Sequence, residues 1–189
     1  MISPSENPQL RSFLASLTYG AVLSGTVAAI ERFGVFVALD DGPAHPVFPG
    51  VGFITVPELS WRRLSAASEV VQVGQRVSCQ FLQFDDWNME ARLSLRATQP
   101  DPFQAFADRT VVGQRLRGRV SMVVPFGVLV RVDQGIEGLV HRRDLTQAPV
   151  EELSEVVRVG DDMNVVVTGI DRQLRRLGLS LRHGTAGRQ

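Results

Sequence analysis

The sequence predicts an all-β chain made of two tandem five-stranded barrels, each preceded by a short helix. Three observations carry that expectation. One phrase is written twice, as IERFGVFVAL at 30–39 and as VVPFGVLVRV at 123–132. In both copies apolar residues alternate with a period of two. An Asn-Pro or Asp-Pro pair, the usual opening of a helix, stands ahead of each copy.

The repeat runs well beyond that phrase. Setting Gly25 on Gly118 brings GTVAAIERFGVFVAL onto GRVSMVVPFGVLVRV. The register then shifts, and GFITVPEL (52–59) falls on GLVHRRDL (138–145) and VQVGQRV on VRVGDDM. Leu93-Ser94-Leu95-Arg96 closes the first copy as Leu179-Ser180-Leu181-Arg182 closes the second. One gap, inside DDGPAHPVFPG, accounts for the whole shift. Self-similarity of this kind marks a repeated structural unit, and 189 residues leave room for two small cores.

The elements follow in order. NPQLRSFLASL offers Asn7 as N-cap and Pro8 at the first helical position, which predicts a helix inside an N-terminal segment, 1–19. The first barrel is expected over 20–97. There Val35, Val37 and Leu39 alternate with Phe36 and Ala38, a strand with one face buried and one open. PELSW reads as a single helical turn, CQFLQF as a later strand and RLSLR as the closing one. DPFQAFADR repeats the helix opening with Asp101 and Pro102, so 98–112 is expected as a helical linker. Its Phe103 and Phe106 predict a semi-rigid joint. The second barrel is expected over 113–183. It has Val128, Val130 and Val132 against Leu129 and Arg131, then RRDL, VVVTGI and LGLSL. A tail, 184–189, follows.

Composition excludes several classes. The formal net charge is zero, so there is no global cationic field of the kind that holds nonspecific DNA binders to their ligand. The charge is nonetheless uneven: 7 Arg face 9 acids over 1–100, and 13 Arg face 11 acids over 101–189. There is no Lys. A GC-rich genome would produce that usage, and so would selection for planar, bidentate phosphate contacts. A lone cysteine, Cys79, excludes an internal disulfide and a cysteine-rich zinc site. No apolar run reaches the ~20 residues of a membrane span, and the first 20 residues lack the pattern of a signal peptide. Serine, histidine and acid residues do not fall into a hydrolytic pattern, and no phosphate loop or metal cluster is written. The expectation is a soluble cytoplasmic protein that is not an enzyme and takes no cofactor or metal.

Gly-x-Val, Phe-Gly-x-Phe-Val (Phe-Gly-Val-Leu-Val in the second copy), Gly-Leu-Val-His (Gly-Phe-Ile-Thr in the first), Val-Gly and Leu-Ser-Leu follow one another in that order across 20–96 and 113–182. The ordered set, written twice, resembles the S1 RNA-binding domain, and DPF resembles the linker between tandem copies in that family. The resemblance implies an OB-type five-stranded barrel that holds single-stranded RNA on one face. It implies single-stranded RNA as partner, in a setting of ribosome, mRNA or another ribonucleoprotein. On such a face unstacked bases lie on aromatic rings, and Arg and His supply phosphate contacts and edge hydrogen bonds.

Carried over residue by residue, the resemblance makes Phe33 and Phe36 the stacking pair of the first copy. Strict alternation gives Phe33 the parity of buried Val35, so it is expected outside only if Gly34 breaks the pleat as a bulge would. Thr55 stands at the family's histidine position. Glu90 stands at its basic position, where a carboxylate is expected to repel phosphate. The second copy keeps Phe126, His141 and Arg176, adds Arg131 on the open face, and has Leu129 in place of the second ring. It is therefore expected to be the better RNA contact. Around these, Arg142, Arg143 and Arg175 widen a basic patch or occupy solvated turns. Trp61 and Trp87 lie outside the shared motif, to pack or to extend a stacking surface. Asp85-Asp86 aligns with Asp171-Arg172 and reads as turn chemistry. The 42–50 insert is a tolerated loop extension or a docking contact. A competing expectation uses the neutrality, Glu90 and Leu129: barrels that dock on a ribosome or RNA polymerase with little affinity for RNA itself.

Overall fold

Asn7 opens the first helix as its side chain requires. Its Oδ1 accepts the N–H groups of Gln9 and Leu10, both at 3.1 Å, and Pro8 occupies the first helical position. The resulting α1 (Pro8–Ser16) buries Leu10 and Leu14 completely. The fold is that of a computed structural model, which describes residues 6–145 and 152–181. Arg182, the last residue of the repeated Leu-Ser-Leu-Arg, and the 184–189 tail lie outside the described residues.

After α1 come β1 (Val22–Glu31), β2 (Gly34–Leu39), β3 (Gly52–Thr55), the single turn α2 (Val56–Leu59), β4 (Arg76–Asp85) and β5 (Glu90–Ser94). They close as a barrel in the order β1-β2-β3-β5-β4, antiparallel throughout except for the β3–β5 pair. The second set repeats the plan: α3 (Pro102–Asp108), β6 (Arg115–Val124), β7 (Gly127–Asp133), β8 (Ile136–His141), α4 (Arg142–Leu145), β9 (Asp162–Asp171) and β10 (Arg176–Ser180). Its barrel closes as β6-β7-β8-β10-β9, again with one parallel pair, β8–β10. The all-β expectation of two tandem five-stranded OB-type barrels, each behind a short helix, is what the chain forms.

Period-two alternation explains the cores. Val35, Val37 and Ile54 point inward in the first barrel, and Val128, Val130 and Val140 in the second, all at 0% exposure. The chain divides into compact units at Asp101/Pro102. The helix expected as a connector is built into the second unit. Phe103, Phe106 and Ala107 of α3 are buried in that unit's core. Gln104 donates to the carbonyl of Arg172 at 3.0 Å, and Arg172 pairs with Asp108 at 2.7 Å.

The repeated Phe-Gly pair has a steric cause. A Cβ on Gly34 would stand 2.4 Å from both the Ile54 carbonyl oxygen and the Phe53 ring, and one on Gly127 would stand 2.3 Å from the Val140 carbonyl oxygen. Only glycine lets β2 and β7 approach their neighbours there. The bulges lie elsewhere. In the β1–β2 and β6–β7 pairs they fall between Val27 and Ala29 in β1 and at the equivalent Val120 and Met122 in β6. The other register shifts, at Phe81/Gln83, Arg131/Asp133 and Gly178/Leu179, do not touch Gly34 or Gly127 either. Phe33 therefore reaches solvent for a different reason than a pleat break at Gly34: it sits in the two-residue turn between β1 and β2, where strand parity does not apply. Among the described residues no helix is long and apolar enough to cross a membrane.

Candidate nucleic-acid interface

The outer faces of β2–β3–β5 and β7–β8–β10 are equivalent grids, and strand register places each side chain. In the first unit the middle row is Phe36, Phe53 and Arg92. In the second unit the same row is Leu129, Leu139 and Gly178. The rings and the cation of the first row are thus exchanged for a flat aliphatic strip.

Phe36 lies outside the barrel core but is only 5% exposed. The expected open platform is covered by the insert, whose Phe48 ring stacks on Phe36 at 5.3 Å and 21°. His45 stacks in turn on Phe48 at 4.8 Å. Its Nδ1 accepts the N–H groups of Val47 and Phe48, at 3.1 and 2.9 Å. Its Nε2–H then donates to the Asn88 carbonyl at 3.0 Å. Burial pushes the imidazole below its ordinary pKa, with the Asn88 carbonyl pulling the other way. The ring is therefore neutral and fixed, and the insert is a fitted cover.

Phe33 remains open, 62% exposed, with its ring 5.8 Å from Phe53 and edge-on to Phe36 at 6.3 Å. The Arg92 guanidinium lies 4.8 Å over Phe53 and pairs with Asp85 at 2.6 Å. Asp85 also accepts the N–H groups of Trp87 and Asn88, both at 3.0 Å. Burial works to raise Asp85, but those bonds and the Arg92 charge outweigh it and hold the group at about 2. Asp85 thus caps the β4–β5 turn. Glu90 is not presented to an incoming phosphate, being 3% exposed. Burial pushes it up to about 7, against the pull of Arg92 at 3.6 Å. Thr55 ends β3 beside Gly34. Trp61 packs within its own unit, under Arg96 at 4.5 Å and donating to the Gln99 carbonyl at 3.2 Å.

In the second unit Phe126 sits in the β6–β7 turn at 56% exposure. Its carbonyl accepts the Arg142 N–H at 2.8 Å, and the adjacent Gly127 pairs with His141, so ring and imidazole share one end of the face. His141 is exposed, its Nδ1 accepting the Arg143 N–H at 3.4 Å. Arg131 lies four residues along β7 from Gly127, roughly 13 Å away at strand rise. It pairs with Glu137 at 3.4 Å. Arg176 opens β10, and the parallel register with β8 puts it on the Glu137 side of the face. The structure therefore brings Phe126 and His141 together at one end and Arg131 and Arg176 at the other, with Leu129 and Leu139 between. Arg175 turns away, its guanidinium 5.6 Å over Phe103.

Residues 16–96 and 110–182 match the family model described as the S1 RNA binding domain. The chain belongs to the S1 RNA-binding domain family. The small ribosomal subunit protein bS1 of Mycolicibacterium smegmatis is 45% identical over 171 residues, covering 90% of this chain and 34% of that protein. The bS1 of Neisseria meningitidis is 35% identical over 176 residues, covering 91% of this chain and 29% of that protein. This chain thus spans about a third of the length of the curated relatives it matches. The solution structure of GSP13 from Bacillus subtilis is similar at 30% identity and a TM-score of 0.37, over 43% of this chain and 62% of that one.

The two S1 barrels present different faces. Phe53, Arg92 and Phe48 belong to the first face, yet they were not among the expected contacts. Strand parity could have put Phe53 on the outer face with Phe36, while its place beside Phe36 comes from the β2–β3 register. The stacking of Phe48 had no local signal, because it depends on how the insert folds back.

Proposed function

We propose that this chain binds single-stranded RNA chiefly through the outer face of its second S1 barrel. The observation that carries the reading is the exposed Phe126, paired in position with His141 and followed along the same face by Arg131 and Arg176. An exposed ring stacks an unpaired base of any identity, and a neighbouring imidazole can hydrogen-bond its edge. Two guanidinium groups roughly 13 Å along the strand direction suit phosphates of the same strand. The relatives named as small ribosomal subunit proteins support a setting in translation. On this reading the chain acts in the cytoplasm at the ribosome or on mRNA, as a binding protein with no catalytic step.

Titration of a fluorescent, unstructured RNA oligonucleotide tests it. Phe126→Ala is expected to weaken binding by ~1–3 kcal/mol, the contribution of one base–aromatic stack. Arg176→Ala is expected to weaken it less at high salt and to lower the slope of log K against log salt by about 0.7. Absence of binding at tens of micromolar in low salt would overturn the reading in favour of a protein-docking surface.

A further inference from the structure

We propose that Trp87, with Phe33, forms a second base-stacking site in the first unit, one that takes unpaired nucleobases of a single RNA strand. The inference rests on the RNA-binding reading above and adds to it a contact outside the barrel face. Trp87 is 92% exposed at the tip of the β4–β5 hairpin, the most solvated large hydrophobic side chain among the described residues. Leaving an indole in water forgoes a large burial term, so the fold itself gains nothing from it there.

The tip is nonetheless rigid. Asp85 accepts the N–H groups of Trp87 and Asn88, and the Asn88 side chain returns a bond to Asp85 at 3.2 Å. Arg92 holds Asp85, and the Asn88 carbonyl is tied to His45. Met89 anchors the turn with no exposure at all. A ring displayed in water on a braced backbone is pre-organised for a partner, because little main-chain freedom is lost on contact.

Phe33 stands at the far end of the same outer face: Gly34 pairs with Thr55 at one end of β3, whereas the β4–β5 turn leads into Ala91, which pairs with Gly52 at the other. Phe33 touches Phe53, Arg92 lies over Phe53, Asp85 pairs with Arg92, and the backbone N–H of Trp87 donates to Asp85, which ties the β4–β5 turn to that row. The β1–β2 and β4–β5 turns therefore flank one surface, the pair of loops with which OB-type barrels grip oligonucleotides. Between them the usual platform, Phe36, is closed under Phe48. The two exposed rings are what this unit offers instead. Arg32, exposed in the turn beside Phe33, is placed for a phosphate, whereas Asp86 beside Trp87 opposes one.

Trp61→Phe leaves Trp87 as the single indole reporter in the full chain. Adding oligouridylate of about ten nucleotides should quench its fluorescence along the same curve as binding. Trp87→Ala should weaken binding about 5- to 150-fold, the equivalent of ~1–3 kcal/mol, and Trp87→Phe should restore most of it. Both variants should melt as the parent does. If Phe126→Ala weakens binding while Trp87→Ala leaves it unchanged and the indole unquenched, the second site is overturned and the RNA reading stands. If no form binds RNA, both fall together. An indole emission that shifts with protein concentration and not with RNA would assign Trp87 to a protein contact and overturn the site.

Discussion

Glu90 is a buried carboxyl, 3% exposed, beside a cation that another carboxylate holds more closely. Arg92 is the nearest cation, at 3.6 Å, but its guanidinium is engaged more closely by Asp85 at 2.6 Å. Two carboxylates share one charge. Asp85, exposed enough and multiply bonded, stays ionised at about 2, while burial pushes Glu90 up to about 7. The linkage has a definite sign. A carboxyl whose pKa is raised on folding contributes no loss below its ordinary value, near 4.5, and destabilises increasingly as pH rises through about 7. Glu90→Gln is therefore expected to stabilise the first unit at pH 8, by up to ~3 kcal/mol at 1.36 kcal/mol for each pKa unit, and to change little at pH 4.5. Urea unfolding at the two pH values measures it. Equal effects at both would mean the carboxyl is solvated. The resemblance sets Glu90 at the family's basic position, and in the fold Glu90 opens β5 opposite Asp85 as Arg176 opens β10 opposite Asp171. The burial of Glu90 depends on residues packed around it from distant parts of the chain, which alternation along β5 does not report.

The 42–50 insert shows how an element can change what a motif does. Alternation along β2 put Phe36 on the outer side of the sheet, and there it lies. Nothing in the spacing of Gly42, Pro43, Pro46 and Pro49 states that the loop folds back and lays Phe48 on that ring. The device that fixes it is His45, whose Nδ1 accepts two backbone N–H groups. A proton on that nitrogen would set a donor against two donors, so the cover holds only while the ring is neutral. Its folded-state pKa lies below the ordinary imidazole value, so its stabilisation is present above that value and is lost as pH falls through the lowered one. An NMR titration is expected to show His45 titrating below the ordinary imidazole range, with the Phe36 and Phe48 ring signals moving in step with it. In Phe48→Ala the stacked ring is gone, water reaches the imidazole, and its titration should return toward the ordinary range. A His45 that titrates like an exposed histidine in the parent would remove the cover from the account.

At the scale of the whole molecule, the repeat in the sequence fixes two barrels because each copy carries its own apolar period. The cores share no residue: the first buried cluster ends at Leu93 and the second begins at Phe103. What the repeat does not show is where the second unit starts. DPFQAFADR lies outside the strand pattern and reads as a joint, yet Phe103 and Phe106 are each 3% exposed inside the second unit. Arg172 and Arg175 of the β9–β10 hairpin hold the same helix. Removing one buried Phe side chain costs ~3–5 kcal/mol. A domain of this length has ~4–12 kcal/mol to lose at ~0.05–0.15 kcal/mol per residue. A fragment of residues 102–189 is therefore expected to melt cooperatively by circular dichroism, and one of residues 110–189, which lacks α3 alone, to lose most or all of that transition. The fragment 1–101 should melt on its own as well, since α1 and its barrel close around Leu10 and Leu14. If 110–189 melts at the temperature of 102–189, α3 contributes nothing to the second core and the unit begins where its first strand does.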